Sequence, residues 1–163
     1  MWDLRSHLLE NSDLAAALTE MAAPLSAASG VEIVVQSTGV PRKLSAVTEH
    51  NLLRVTQEAL ANALKHSGAK KIVVALTYEP SQVRLRLHDD GNGFDFPNVG
   101  QASSGHFGLL DMRERAEKIG ARFSLTSRTG YGTEILLLIT DVTANNSPNH
   151  GQTNPGAKLN SSE

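Results

Sequence analysis

Cysteine is absent from the 163 residues, which excludes disulfides, thiol catalysis and cysteine-ligated zinc and is compatible with a reducing compartment. No apolar run exceeds the few residues of 135–139, far too short to span a bilayer, and the N-terminus lacks a signal-type apolar core, so a soluble chain is expected. Charge of one sign is lacking too. Fifteen basic against seventeen acidic residues leave a net charge of −2, and no basic run is long enough to track a nucleic-acid backbone or an anionic membrane. Internal repeats are missing. With 40% apolar and 20% charged residues, the chain has material for one domain with a real core and is too short for two.

The most informative stretch is 53–68, Leu-Arg-Val-Thr-Gln-Glu-Ala-Leu-Ala-Asn-Ala-Leu-Lys-His-Ser-Gly. Leu53, Thr56, Leu60, Ala63 and Leu64 form one apolar face at helical spacing. Glu58, Asn62 and His66 are four apart, and at ~1.5 Å rise per residue they make a polar row about 12 Å long at the border of that face. The length suits a triphosphate with its metal. Any amphipathic helix has such a solvated edge, so the row alone does not decide.

The rest of the chain places this helix. Residues 13–30 show Leu14, Leu18, Met21 and Leu25 at helical spacing, with Asp13 as N-cap and Gly30 as stop. Residues 31–36 are rich in β-branched side chains and read as a strand, and Ser45 can cap the central helix. Strands are expected at 71–78 and 82–89, joined by the turn Glu79-Pro80-Ser81 into an antiparallel hairpin. In the second, Val83, Leu85 and Leu87 alternate with Arg84, Arg86 and His88. By that parity Asp89 points to the buried side, where an acid costs free energy unless something hydrogen-bonds it, while His88 reads as an exposed strand residue.

Asp89-Asp90-Gly91-Asn92-Gly93 follows, a loop whose glycines let the backbone turn sharply and a planar group approach; an ordinary turn or a cation loop has the same composition. A longer loop, 96–107, leads through Gly105, His106, Phe107 and Gly108 into a helix with Leu109, Met112, Ala116 and Ile119 inward and Gly120 as its stop. The first amides of such a helix lack internal partners and carry its positive dipole end, so they can receive phosphate oxygens. His106 can be a lid contact or loop filler, and Arg113, Glu114, Arg115 and Lys118 read as a solvated or partner-facing surface. Two last strands, 122–127 and 132–140, complete a sheet, with Thr133 sharing the parity of Ile135, Leu137 and Ile139 and therefore the face of Asp89. From 142 onward large apolar residues are nearly absent, and a disordered tail is expected.

Four motifs in this order resemble the ATP-binding catalytic domain of bacterial sensor histidine kinases, in the superfamily that includes the type II topoisomerase, Hsp90 and MutL ATPases. Residues 58–66 look like its Asn-containing box, Asp89-x-Gly91-x-Gly93 like its first glycine box, Gly105-x-x-Gly108-Leu109 like the second, and Gly130-x-Gly132-Thr133 like the closing Gly-Thr element. Gln57-Glu58-Ala59-Leu60-x-Asn62-Ala63-x-Lys65-His66, with Met112-Arg113-Glu114-Arg115, is similar to the subfamily whose response regulators carry a LuxR-type DNA-binding domain.

The resemblance implies an α+β two-layer sandwich of the Bergerat type, with a mixed, mostly antiparallel sheet and helices on one face, over residues 13–141. Residues 1–12 would be a remnant of a dimerisation hairpin or linker, and 142–163 the tail. It implies ATP and Mg²⁺ as cofactors. Asn62 would give its side-chain oxygen to the metal, and Glu58 would orient the metal's water. Lys65 and His66 would supply phosphate charge. Asp89 would accept the adenine amino proton with support from Thr133, and Gly91 and Gly93 would leave room for the ring. Gly105, His106, Phe107, Gly108 and Leu109 would form the lid. None of His7, His50, His66, His88, His106 or His150 has the setting of a phosphoacceptor. The acceptor would then lie on a separate dimerisation domain and hand the phosphoryl group to a response regulator. The expectation is a cytoplasmic, monomeric catalytic domain, touching neither nucleic acid nor membrane, that binds ATP without completing the reaction alone. Two alternatives stay open: a regulatory module gated by nucleotide, and an anti-sigma-type serine kinase of the same superfamily.

Overall fold

A computed structural model describes residues 13–95 and 106–140. Helix α1 (Leu14–Ser29) opens with Asp13, whose Oδ1 accepts the Ala16 amide at 2.8 Å, and closes on Gly30 at φ 71°, whose amide donates to the Ser26 carbonyl. Both ends thus satisfy groups that the helix itself leaves unpaired. Strand β1 (Glu32–Thr38) begins one residue later and runs two further than the β-branched run suggested, because pairing with its neighbour continues through Ser37 and Thr38. Helix α2 (Ala46–Asn62) starts at Ser45, whose Oγ accepts from the Thr48 amide at 3.1 Å.

α2 does not run on regularly to Gly68. From Ala63 to Ser67 the winding widens to a π-helix, ended by Gly68 at φ 63°. Ser67 Oγ donates to the Ala63 carbonyl at 2.6 Å, and the Ser67 carbonyl accepts from the Asn92 amide at 2.7 Å, so the widened turn is held by a side chain and by a neighbouring loop. The expected row is therefore interrupted. Its regular spacing holds through Asn62, while Lys65 and His66 are exposed residues of the wider turn.

Strands β2 (Lys71–Glu79) and β3 (Gln82–Asp89) form the expected antiparallel hairpin, and after α3 (His106–Lys118) come β4 (Arg122–Ser127) and β5 (Thr133–Thr140). The five strands lie in the order β1-β2-β3-β5-β4, with β1 parallel to β2 and every other pair antiparallel. Ile72, Val74, Leu76, Val83, Leu85, Leu87, Ile135 and Leu137 alternate along these strands onto one buried face. Leu14 and Leu18 of α1, Leu52, Val55 and Leu60 of α2, and Met112 and Ala116 of α3 fill the same core. The result is the two-layer α+β arrangement. Arg42, in the loop between β1 and α2, donates to the carbonyls of Glu79, Pro80 and Gln82 and so fastens that loop to the β2–β3 turn. His88 is half-buried rather than exposed, and its Nδ1 has no hydrogen-bond partner among the described residues.

Candidate functional site

β3 ends at Asp89, directly opposite Thr133 of β5 and Ile72 of β2. Antiparallel partners share a face with their Cβ atoms about 5 Å apart, so the carboxylate and the threonine hydroxyl belong to one small area. Asp89 is only 6% exposed, and its Oδ1 accepts the Gly91 amide at 2.9 Å. Burial pushes its carboxyl above the usual carboxylate range, and the Gly91 and Thr133 amides offset part of that rise. A buried acid whose ionisation is disfavoured, yet which keeps an acceptor oxygen, suits a ligand that brings a donor.

The loops around Asp89 are stitched together backbone to backbone. Gly132, at φ 78°, lies so close under Asp89 that an added Cβ would overlap the Asp89 carbonyl oxygen and sit 3.0 Å from its carbon. Gly93, at φ 60°, is equally tight against the Arg128 and Gly132 carbonyls, and the Gly130 amide donates to the Asn92 carbonyl at 2.6 Å. A Cβ on Gly91 would strike Ser67, with Ser67 Oγ at 2.7 Å. Space for a ring was the expected reason for Gly91 and Gly93. In the structure the place a Cβ would take at each is occupied by backbone or Ser67, so the glycines are also what permits close packing of the loops.

Asp90 adds a second tie. Its Oδ1 accepts the amides of Lys70 and Lys71, each at 2.9 Å, and these two donors hold its carboxyl below the ordinary range. Ser127 adds a third. Its Oγ accepts the Phe94 amide at 2.8 Å, contacts Thr133 Oγ1 at 2.9 Å and reaches the Gly132 carbonyl at 3.2 Å.

The other end is built from helices. Glu58 and Asn62 are half-buried on successive turns of α2, where the core meets the outside. Against them lies the first turn of α3. A Cβ on Gly108 would overlap Glu58 Oε1, with Glu58 Cδ at 3.1 Å and Asn62 Nδ2 at 3.3 Å, so only glycine admits this approach without moving Glu58. Leu109 is half-buried behind it and packs on the core. Lys65 and His66 remain exposed on the π turn. Gly105 and the side chains of His106 and Phe107 lie outside the described residues. Asp89, Gly91, Gly93 and Thr133 thus come together at one end, and Glu58, Asn62 and Gly108 at the other. Ser67 joins the two through Asn92 and Gly91.

Residues 47–143 match the family model described as histidine kinase-, DNA gyrase B-, and HSP90-like ATPase. The chain belongs to this ATPase family. Among its relatives, the sensor histidine kinase LiaS of Bacillus subtilis is 37% identical over 134 residues, covering 81% of this chain and 35% of LiaS. The sensor protein VraS of Staphylococcus haemolyticus is 40% identical over 101 residues, 62% of this chain and 27% of VraS. The chain therefore spans about a quarter to a third of the length of these relatives. The ATPase fold is also that of the histidine kinase domain of the Erythrobacter litoralis EL346 blue-light activated histidine kinase, with TM-score 0.61 and 24% identity over 80% of this chain and 62% of that one. The mycobacterial sensor histidine kinase MprB gives TM-score 0.59 at 19% identity over 79% of this chain and 95% of that one. As an ATPase domain of this family, the chain has ATP as its nucleotide.

Ser67, Asp90 and Ser127 carry no mark of these roles in the sequence pattern. No helix among the described residues is long and apolar enough to cross a membrane.

Proposed function

We propose that this chain is the ATP-binding catalytic part of a sensor histidine kinase, which presents the γ-phosphoryl group of ATP to a histidine on a separate dimerisation domain. The observation that carries it is the pairing of a buried acceptor, Asp89 beside Thr133, with a polar helix edge, Glu58 and Asn62, on which the first turn of α3 closes. The relatives named above are sensor kinases, which favours phosphoryl transfer over a purely regulatory nucleotide site.

Asp89 accepts from the adenine amino group, and Thr133 stands beside it. Asn62 would hold Mg²⁺ through its amide oxygen, and the ion would supply neutralisation of phosphate charge. Among the described residues no three His, Cys, Asp or Glu side chains converge on one point, so the donor set fits a cation that completes its shell with phosphate oxygens and water. Glu58 would orient water on that ion, and Lys65 and His66 would meet the phosphate charge at the outer end. The start of α3, 106–109, would offer its amides to the phosphates. Phosphoryl transfer needs chiefly alignment and charge neutralisation, and these groups supply both on the ATP side. The partners are the parent's acceptor hairpin and, through it, a response regulator with a LuxR-type DNA-binding domain. The setting is the cytoplasmic portion of that parent.

The test is calorimetric titration with ATP and ADP, with and without Mg²⁺, beside a transfer assay to the parent's helical hairpin. Saturable binding strengthened by Mg²⁺ and transfer to histidine are expected. Transfer to a partner's serine, or nucleotide binding with no transfer at all, would replace this reading by one of the two alternatives.

A further inference from the structure

Ser127 is half-buried at the end of β4, directly opposite Thr133 in the β4–β5 register, which places it on the same sheet face one strand beyond the Asp89–Thr133 pair. Its hydroxyl has three neighbours: the Phe94 amide at 2.8 Å, Thr133 Oγ1 at 2.9 Å and the Gly132 carbonyl at 3.2 Å. A hydroxyl has one proton to give and two lone pairs to receive with. The Phe94 amide can only donate and the Gly132 carbonyl can only accept. All three contacts are made at once in a single arrangement: Ser127 receives from Phe94, gives its proton to Gly132, and receives the Thr133 proton. Reversing the Ser127–Thr133 bond would leave the Gly132 carbonyl without the Ser127 proton, and its remaining donor, the Arg128 amide, is at 3.5 Å.

The consequence falls on Thr133. With its proton turned toward Ser127, Thr133 faces the site with lone pairs, beside the Asp89 carboxylate. Read at the 6-position, two acceptors side by side favour a base that carries an amino group there, whereas at the neighbouring N1, bare in adenine and protonated in a 6-oxo purine, the preference would be the reverse. At the 6-position the same acceptors disfavour a carbonyl, because acceptor then meets acceptor in a buried place. We propose that Ser127 is a positioning residue for base recognition: by holding the Thr133 hydroxyl proton it fixes Thr133 as an acceptor and so sets the preference for a 6-amino over a 6-oxo purine. This rests on the placement of the base at Asp89 given above.

The experiment measures affinities of the full chain for ADP and IDP, which carry an amino and an oxo group at the 6-position and a bare and a protonated N1, by calorimetry without Mg²⁺; a ratio that widens in Ser127→Ala would show that Thr133 reads N1 instead and would overturn the proposal. In Ser127→Ala the Thr133 proton is released and can turn to meet a carbonyl, so the ADP-to-IDP affinity ratio should shrink by about tenfold, the scale of one hydrogen-bond mismatch. Ser127→Thr, which keeps the hydroxyl, should restore it. A residue that merely braces the loop would weaken both ligands alike, and an unchanged ratio in a folded Ser127→Ala protein overturns the proposal. Thr133→Val tests the same point should Ser127→Ala fail to fold. It removes the lone pairs that reject the carbonyl, and a ratio equal to wild type would show that Thr133 does not read this edge. If the wild-type chain binds neither nucleotide, the base placement itself is wrong, an outcome separate from loss of discrimination with binding intact.

Discussion

The two ends of the site are made of different materials. At the Asp89 end the parts are backbone: three strand ends and two glycine turns so close that a single methyl group at Gly132 or Gly93 would overlap a carbonyl. At the Glu58 end the parts are side chains of α2 against the backbone of α3, and the tightest contact, Gly108 against Glu58, involves the tip of a flexible carboxylate. The first is fixed before any ligand arrives. The second can be rearranged at little cost to the fold. With the nucleotide placed as proposed, this gives a rigid grip on the base and an adjustable grip on the phosphates, the division expected where one part of the ligand must be held while another reacts.

The sharpest way to break this contrast is at Asn62. Asn62→Ala should lower transfer to an added acceptor hairpin by on the order of a hundredfold or more, since misalignment of the reacting phosphate acts directly on the chemical step. Adenosine and metal-free ADP should bind as before. An equal loss for metal-free ADP would mean that Asn62 supports the base end, and the division would fail.

Paired glycine substitutions examine the same contrast through stability. Gly132→Ala places a side chain at positive φ and against backbone, and should cost about 2–4 kcal/mol of unfolding free energy. Gly108→Ala meets only the movable end of Glu58, so its melting temperature should stay near wild type while phosphoryl transfer falls. Comparable thermal losses in both variants would erase the distinction between a rigid and an adjustable end.

Asp89→Asn is expected to weaken ADP binding by about ten- to a hundredfold, as a buried acceptor is replaced by a group that also presents a donor. The free protein should be no less stable. The folded-state pKa of Asp89 is raised, so ionising it disfavours the folded state: that cost is fully present above the folded pKa and is relieved as pH falls through it toward the ordinary value of 3.8. Urea midpoints of the two proteins compared from neutral to acidic pH should converge as Asp89 protonates. Wild-type stability that falls relative to the variant on acidification would reverse the sign. The smallest effect is on binding. Loss of ADP affinity on acidification should begin at a higher pH than for an ordinary exposed carboxylate, and calorimetry across that range reads it.

Most of the base end was legible because it obeys strand parity. Alternation in Gln82–Asp89 and Thr133–Thr140 was enough to put Asp89 and Thr133 on one face, and the structure has them as direct partners. Helix ends were legible from Asp13, Gly30, Ser45 and Gly120, whose local chemistry does not depend on the rest of the chain. The π turn was not. Nothing in Ala-Leu-Lys-His-Ser departs from an ordinary helix, and the widening coincides with a hydrogen bond from Asn92, far away in sequence. Lys65 and His66 leave the regular row at that widened turn. Ser127 and Asp90 escaped for a related reason, since their partners are backbone amides of other segments, which no residue pattern announces.

The strand order also has a kinetic consequence. β2 with β3, and β4 with β5, are hairpins whose partners are near in sequence, whereas the β3–β5 pairing joins segments separated by the whole of α3 and β4. Closing so large a loop is entropically expensive until both hairpins exist, so β3–β5 docking belongs to the late part of folding. Asp89 and Thr133 meet only across that seam. If the base binds there as proposed, its pocket forms after the rate-limiting step, and saturating ADP should slow unfolding while leaving the refolding rate unchanged, a partition that stopped-flow measurement of both limbs would reveal.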